Sequence, residues 1–189
     1  MQIRFADSRP TGDYALVLPV AGKDRSSLES LGAAQPMVST ALDHQRFEGD
    51  ASGSSEQFIN DSGSVRRLLI VGTGTGTAAT DAAEKIGGTA VAKLLTSGET
   101  RAVIDVSAIG DDADAAARVG LGAALRAWRH DRYRTKLKDN QKPTLEEVVI
   151  VGGGSGAAQR YEQRWAPVVE GVSLTRELVT EPANIIYPE

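Results

Sequence analysis

Two glycine-rich stretches, each directly after a run of branched apolar residues, are the first places in this chain where chemistry can be sought. Gly72-Thr73-Gly74-Thr75-Gly76 follows Leu68 to Val71, and Gly152-Gly153-Gly154-Ser155-Gly156 follows Val148 to Val151. Glycine lets backbone amides approach an anion at the start of a helix, so both are phosphate-loop candidates, with Gly72, Gly74, Gly152, Gly154 and Ser155 as the residues concerned. The dinucleotide fingerprint needs a third glycine where Thr77 stands, and neither loop carries the lysine of a P-loop. The simpler reading is a pair of tight turns at strand ends.

Gly153-Gly154-Ser155-Gly156-Ala157 falls one residue short of the nucleophile elbow of serine hydrolases, because Ala157 replaces the last glycine. That fold also needs a histidine after the serine, and the two histidines, His44 and His130, both precede it. Ser155 is expected to cap a helix. Asp111, Asp112 and Asp114 lack the glycine turn and distal glutamate of a calcium loop and are expected to open a helix, where negative charge suits the dipole. His44 and His130 have no zinc-like spacing.

One basic segment stands out, with Arg126, Arg129, Arg132, Arg134, Lys136 and Lys138 interleaved by Trp128 and Tyr133, and with His130 and Lys142 nearby. Such a segment suits nucleic-acid phosphates with aromatic stacking. It equally suits the positively charged end of a helix followed by a solvated loop. No convincing active site emerges from these residues.

These side chains need a scaffold, and the remaining pattern supplies one. The chain has 189 residues, 41% hydrophobic content, only 5% aromatic residues and a net charge of −4. That is enough for one domain, or one domain with an appendage, and argues against an overall nucleic-acid or membrane footprint. Without cysteine there are no disulfides, thiolate metal sites or cysteine nucleophiles. No secretory pattern opens the sequence and no apolar run reaches membrane-span length, so a cytoplasmic location is expected.

Strands are predicted at Met1–Phe5, Ala15–Val20, Arg66–Val71, Arg101–Val106 and Glu146–Val151, with shorter ones at Arg46–Gly49 and Glu56–Ile59. Pro19 places the second strand at an edge or falls at its end. Helical spacing runs from about Ala78 to Ser97, and again from Asp111 past Trp128. Gly87-Gly88 inside the first of these helices should cost about 1 kcal/mol each against alanine, offset if a neighbouring backbone comes close. Helix resumes after Gly156, kinked or restarted at Pro167, and Pro182 ends it. Alternating strands and helices predict an α/β fold: a mixed, largely parallel sheet with helices on both faces. The early region is expected to be hairpin-like and antiparallel.

Two stretches resemble a known family. Gly120 to Lys136, containing Arg126-Ala127-Trp128-Arg129-His130-Asp131-Arg132-Tyr133-Arg134, resembles the "YrFdrYKtk" helix end of the leucyl (cytosol) aminopeptidase family, with Trp128 and His130 where Tyr and Phe are common. Glu170 to Pro188, containing Thr175-Arg176-Glu177-Leu178-Val179-Thr180-Glu181-Pro182, resembles its "aRdLvneP.N.lyP" interdomain segment. The resemblance implies a macro-domain-like N-terminal domain over 1–165 and a connecting helix and linker over 166–189. It implies a C-terminal catalytic domain, absent from this chain, that holds two divalent metals (zinc, manganese or magnesium) and removes N-terminal residues from peptides, in a homohexamer. The family's metal and catalytic signatures, similar to "VGKGvtFDsGG" and "NTDAEGRL", do not occur here, so no catalytic or metal residue is carried over. The expected role is assembly and active-site access. The alternatives are a nucleotide or ADP-ribose module using the glycine loops, and DNA binding through 126–142.

Overall fold

Runs of β-branched and leucine residues make the strands, and the alternation along them decides what each face buries. The computed structural model describes residues 1–61, 63–75, 79–182 and 185, with backbone only at Ala79, Thr80 and Ile109. Among the described residues six strands form one sheet in the order β1-β6-β5-β2-β4-β3. They are β1 (Gln2–Ala6), β2 (Ala15–Val20), β3 (Ser54–Asp61), β4 (Ser64–Gly72), β5 (Arg101–Asp105) and β6 (Glu147–Val151). All neighbours are parallel except β3, which pairs antiparallel with β4 from Ser54↔Val71 to Asp61↔Ser64. The predicted mixed, largely parallel sheet is the observed one.

The early region differs from expectation. β1 does not form a hairpin with β2; it pairs with β6 at the far edge, from Gln2↔Glu147 to Ala6↔Val151. Among the described residues, β3 and β4 alone form a hairpin. Nor is β2 an edge strand. Pro19 is tolerated in the middle of the sheet because pairing with β5 covers only Ala15 to Val17, so no ladder bond from β5 is required at Pro19. Arg46–Gly49 is not a strand but the exit of a helix that the sequence pattern did not reveal, α1 (Gln35–His44).

Four further helical segments follow: α2 (Ala79–Leu94), α3 (Ala113–Ala127), α4 (Ala157–Arg160) and α5 (Ala166–Thr180). A π-helical turn, Tyr161–Trp165, joins the last two into one rod, with Pro167 in the first turn of α5. Period-two alternation splits the core. Val17, Leu69, Val71, Ile104, Val148 and Ile150 face α2 and α3. Leu16, Leu18, Leu68, Ile70, Val103 and Val149 face the other side, where Leu28 from a 3₁₀ segment (Ser26–Ala34) and Val38 and Leu42 of α1 cover them. Helices therefore lie on both faces.

The glycines inside the helices mark where α2 and α3 touch. A β-carbon at Gly87 would lie 1.9 Å from the Val119 carbonyl oxygen, and one at Gly122 would lie 2.0 Å from that of Glu84. The close backbone approach that could offset the helical cost of Gly87 is present.

Candidate functional site

The carboxyl ends of β2, β4, β5 and β6 bring both glycine loops to one rim of the sheet. In the first loop the backbone amides of Gly72, Thr73 and Gly74 already have partners. Gly72 N donates to Gly53 O (2.8 Å), Thr73 N to Val20 O (2.9 Å) and Gly74 N to Gly49 O (2.9 Å). A β-carbon on Gly72 would meet Asp50 O at 2.2 Å, and one on Gly49 would meet Gly22 O at 2.1 Å. These glycines let three loops stack backbone on backbone. Gly76 and Thr77 lie outside the described residues.

In the second loop, Gly152 packs on Ser107, and a β-carbon at Gly153 would stand 2.2 Å from that of Ala116. Both have positive φ, which favours glycine on its own. Gly154 and Ser155 are exposed. Ser155 does not cap the helix. Gly156, at φ 105°, is the N-cap of α4, and no side chain caps it. Sequence reading missed the ion pair that closes this rim: buried Asp105 accepts from Arg9 Nε (2.6 Å) and from Ser107 N (3.0 Å), while Arg9 reaches Ser30 Oγ at 2.6 Å. An acid ending an apolar strand was the available signal.

The aspartate cluster does what helix physics expects. Asp112 Oδ1 accepts from Asp114 N (2.9 Å) and Ala115 N (3.1 Å), capping α3. Asp114 accepts from Arg118 Nε (3.0 Å) and Trp165 Nε1 (3.3 Å). Burial raises the carboxyl's pKa, but the bonds from Arg118 and Trp165 and the charges of Arg118 and Arg160 outweigh it and hold it below the usual carboxylate range. Arg118 also pairs with Glu84 and lies over the Trp165 ring, 4.4 Å from its centroid. This cluster clamps the π-turn to α3.

Two divalent metals would need several converging carboxylates. Among the described residues no group of three or more His, Cys, Asp or Glu side chains is placed to hold an ion. His44 is exposed in the last turn of α1. His130 sits between the rings of Trp128 (centroids 6.2 Å apart) and Tyr133 (5.6 Å). The described donors therefore do not fit such a centre.

Much of the basic segment is internally compensated. Arg129 pairs with Asp131 at 2.5 Å, Arg134 lies 3.8 Å from the same carboxylate, and Lys142 pairs with Asp139. Arg126, Lys136 and Lys138 are exposed. Arg132 and Tyr133 instead clasp Glu181, at 3.0 and 2.5 Å. Glu181 is the residue that α5 hands to Pro182, and Arg176, earlier on the same helix, donates to Leu125 O at 2.7 Å. The 126–142 loop thus fastens the far end of α5 to the domain, a role no local pattern announced. Ile186, Tyr187 and Pro188 lie outside the described residues.

The comparisons agree with this placement. Residues 17–137 match the family model described as the cytosol aminopeptidase family, N-terminal domain. A probable cytosol aminopeptidase of Caulobacter vibrioides is 34% identical over 167 residues, covering 87% of this chain and 32% of that protein. One from Rhizobium etli is 28% identical over 192 residues, covering 99% of this chain and 38% of that protein. A tomato leucine aminopeptidase variant of known structure shares the fold over the whole chain, with a TM-score of 0.81, 23% identity and 40% of its own length covered. The chain spans about a third of the length of the curated relatives it matches. These findings support neither the nucleotide-binding nor the DNA-binding alternative. No helix among the described residues is long and apolar enough to cross a membrane. The chain belongs to the cytosol aminopeptidase family, of which it is the N-terminal domain.

Proposed function

We propose that this domain is non-catalytic and serves a metal-dependent leucyl aminopeptidase that removes N-terminal residues from peptides in the cytoplasm. Its work is to support assembly, as part of a homohexamer, and to shape access to an active site carried by a C-terminal domain. That domain binds the two divalent cations, zinc, manganese or magnesium. Residues 1–165 form the body, and 166–189 form the connecting helix and linker. The observation that carries this reading is the N-terminal family match over 17–137, together with relatives about three times longer than the aligned part.

The test is to express the polypeptide encoded by the complete gene, with and without residues 1–165, and assay leucine release from a chromogenic leucine amide with manganese. The intact polypeptide should be active and hexameric by light scattering, and the shortened one should lose assembly. An intact polypeptide that releases no leucine contradicts the reading.

A further inference from the structure

α5 carries two apolar faces, and the domain uses one. At about 100° per residue, Val169, Val172, Ser173 and Arg176 point one way and are partly buried. Val169 and Ser173 line a crevice with Ala124, Ala127 and Trp128. On the opposite side lie Pro167, Gly171, Leu174 and Leu178, flanked by Val168 and Val179. Leu174 is 57% exposed, Leu178 55%, Val179 81% and Val168 42%. An apolar stripe left exposed on a helix whose other face is already packed marks an interaction surface.

Gly171 gives an independent indication. Glycine weakens a helix interior relative to alanine, so it needs a reason. Gly87 and Gly122 have one, as each meets a carbonyl of the facing helix within 2.0 Å of its absent β-carbon. Gly120 has one too, with the Tyr161 ring 3.0 Å away. Among the described residues a β-carbon on Gly171 would meet nothing within 4 Å. It sits midway along the unused stripe, a hollow between Pro167 and Leu174.

We propose that the outer face of α5 is the seat of the C-terminal domain of the same polypeptide, and that Gly171 receives a bulky apolar side chain from it. The inference rests on the reading above, since the occupant is the part of the longer relatives that lies beyond the stretch this chain matches. Glu170 and Glu177 border the stripe on one side, so the seated surface should present a basic group there. The Glu181 clasp holds the helix end in register for this contact.

The test turns on a reversal of sign. In the 189-residue chain, Gly171→Leu meets open space and gains helix propensity, so Tm should rise by about 2–4 °C. In the longer polypeptide the same leucine would fill the hollow, and Tm should fall. Hydrogen exchange of amides 168–180 should slow at least about tenfold in the longer polypeptide relative to the 189-residue chain, a difference that Gly171→Leu should largely abolish. Sedimentation of the 189-residue chain should show a monomer. Equal exchange in the two polypeptides, a rise in Tm in both, or a dimer dispersed by Leu174→Arg would each overturn the proposal. Inactivity of the longer polypeptide with α5 protected would sink the peptidase reading and leave the docking face standing.

Discussion

Gly87 in α2 faces Val119 in α3 so closely that a single β-carbon would stand 1.9 Å from the Val119 carbonyl oxygen. The two helices are therefore pressed together at their backbones, and Gly122 makes the reciprocal contact with Glu84. Gly87→Ala gains about 1 kcal/mol of helix propensity but must push the helices apart, and a clash with backbone at this distance puts the overpacking cost in the upper part of its range, about 2–3 kcal/mol. The variant should be less stable by about 1–2 kcal/mol in urea denaturation. An unchanged or raised midpoint would refute the contact.

Asp114 ties α3 to the π-turn through Arg118 and Trp165. Its carboxyl pKa is depressed in the folded state, so its contribution is fully present above the unfolded value of about 3.9 and is lost as pH falls through the lower folded value. Asp114→Asn should cost about 1–2 kcal/mol at neutral pH and flatten the acid limb of stability below about pH 4. Parallel pH profiles for the two proteins would show that the pair contributes nothing.

Arg46 stands in the left-handed region at φ 53°, where α1 ends. Phe47 N donates to Leu42 O and Arg46 N to Asp43 O, the two bonds of a Schellman turn, and both Phe47 and Leu42 join the core on that face. Glycine suits that position better than arginine, so Arg46→Gly should stabilise the chain by about 0.5–1 kcal/mol. A lower thermal midpoint would contradict this.

Glu181 accepts from the Tyr133 hydroxyl, and that bond to Glu181 is the largest cause raising the pKa of Tyr133 above its ordinary value. Glu181→Ala should move the Tyr133 titration, followed by NMR of ring-labelled tyrosine, down towards that of free tyrosine. It should also speed exchange at the C-terminal turn of α5. No movement of the titration would mean that the clasp does not form in solution.

Much of this fold was legible because its strands are near-continuous apolar runs and its helices keep their period. Val148 to Val151 and Leu68 to Val71 needed no tertiary information. Pro182 as a helix stop and the aspartates of α3 were local physics as well. What escaped depends on distant partners. α1 is short and carries only Val38 and Leu42 as buried residues, too few for a period to show. β1 finds its partner almost the whole chain away, so nothing local separates it from a hairpin strand. Pro19 falls next to the end of β2, one of the two placements its type allowed, but that β2 is a central strand stays hidden until the shortness of the β5 ladder is known. The Arg9–Asp105 pair and the Glu181 clasp span 96 and 49 residues or thereabouts, beyond any sequence window. Gly171 was visible in the sequence, but its meaning appears only beside Gly87 and Gly122, whose neighbours are present.

The most direct test of the account is peptidase activity in the 189-residue chain itself. Purified chain should release no leucine from a chromogenic leucine amide above the protein-free rate, with manganese, zinc or magnesium added: the family match is to an N-terminal domain, and among the described residues no three His, Cys, Asp or Glu side chains gather to hold an ion. Release that scales with chain concentration and stops on adding a chelator would contradict the central claim that this domain is non-catalytic.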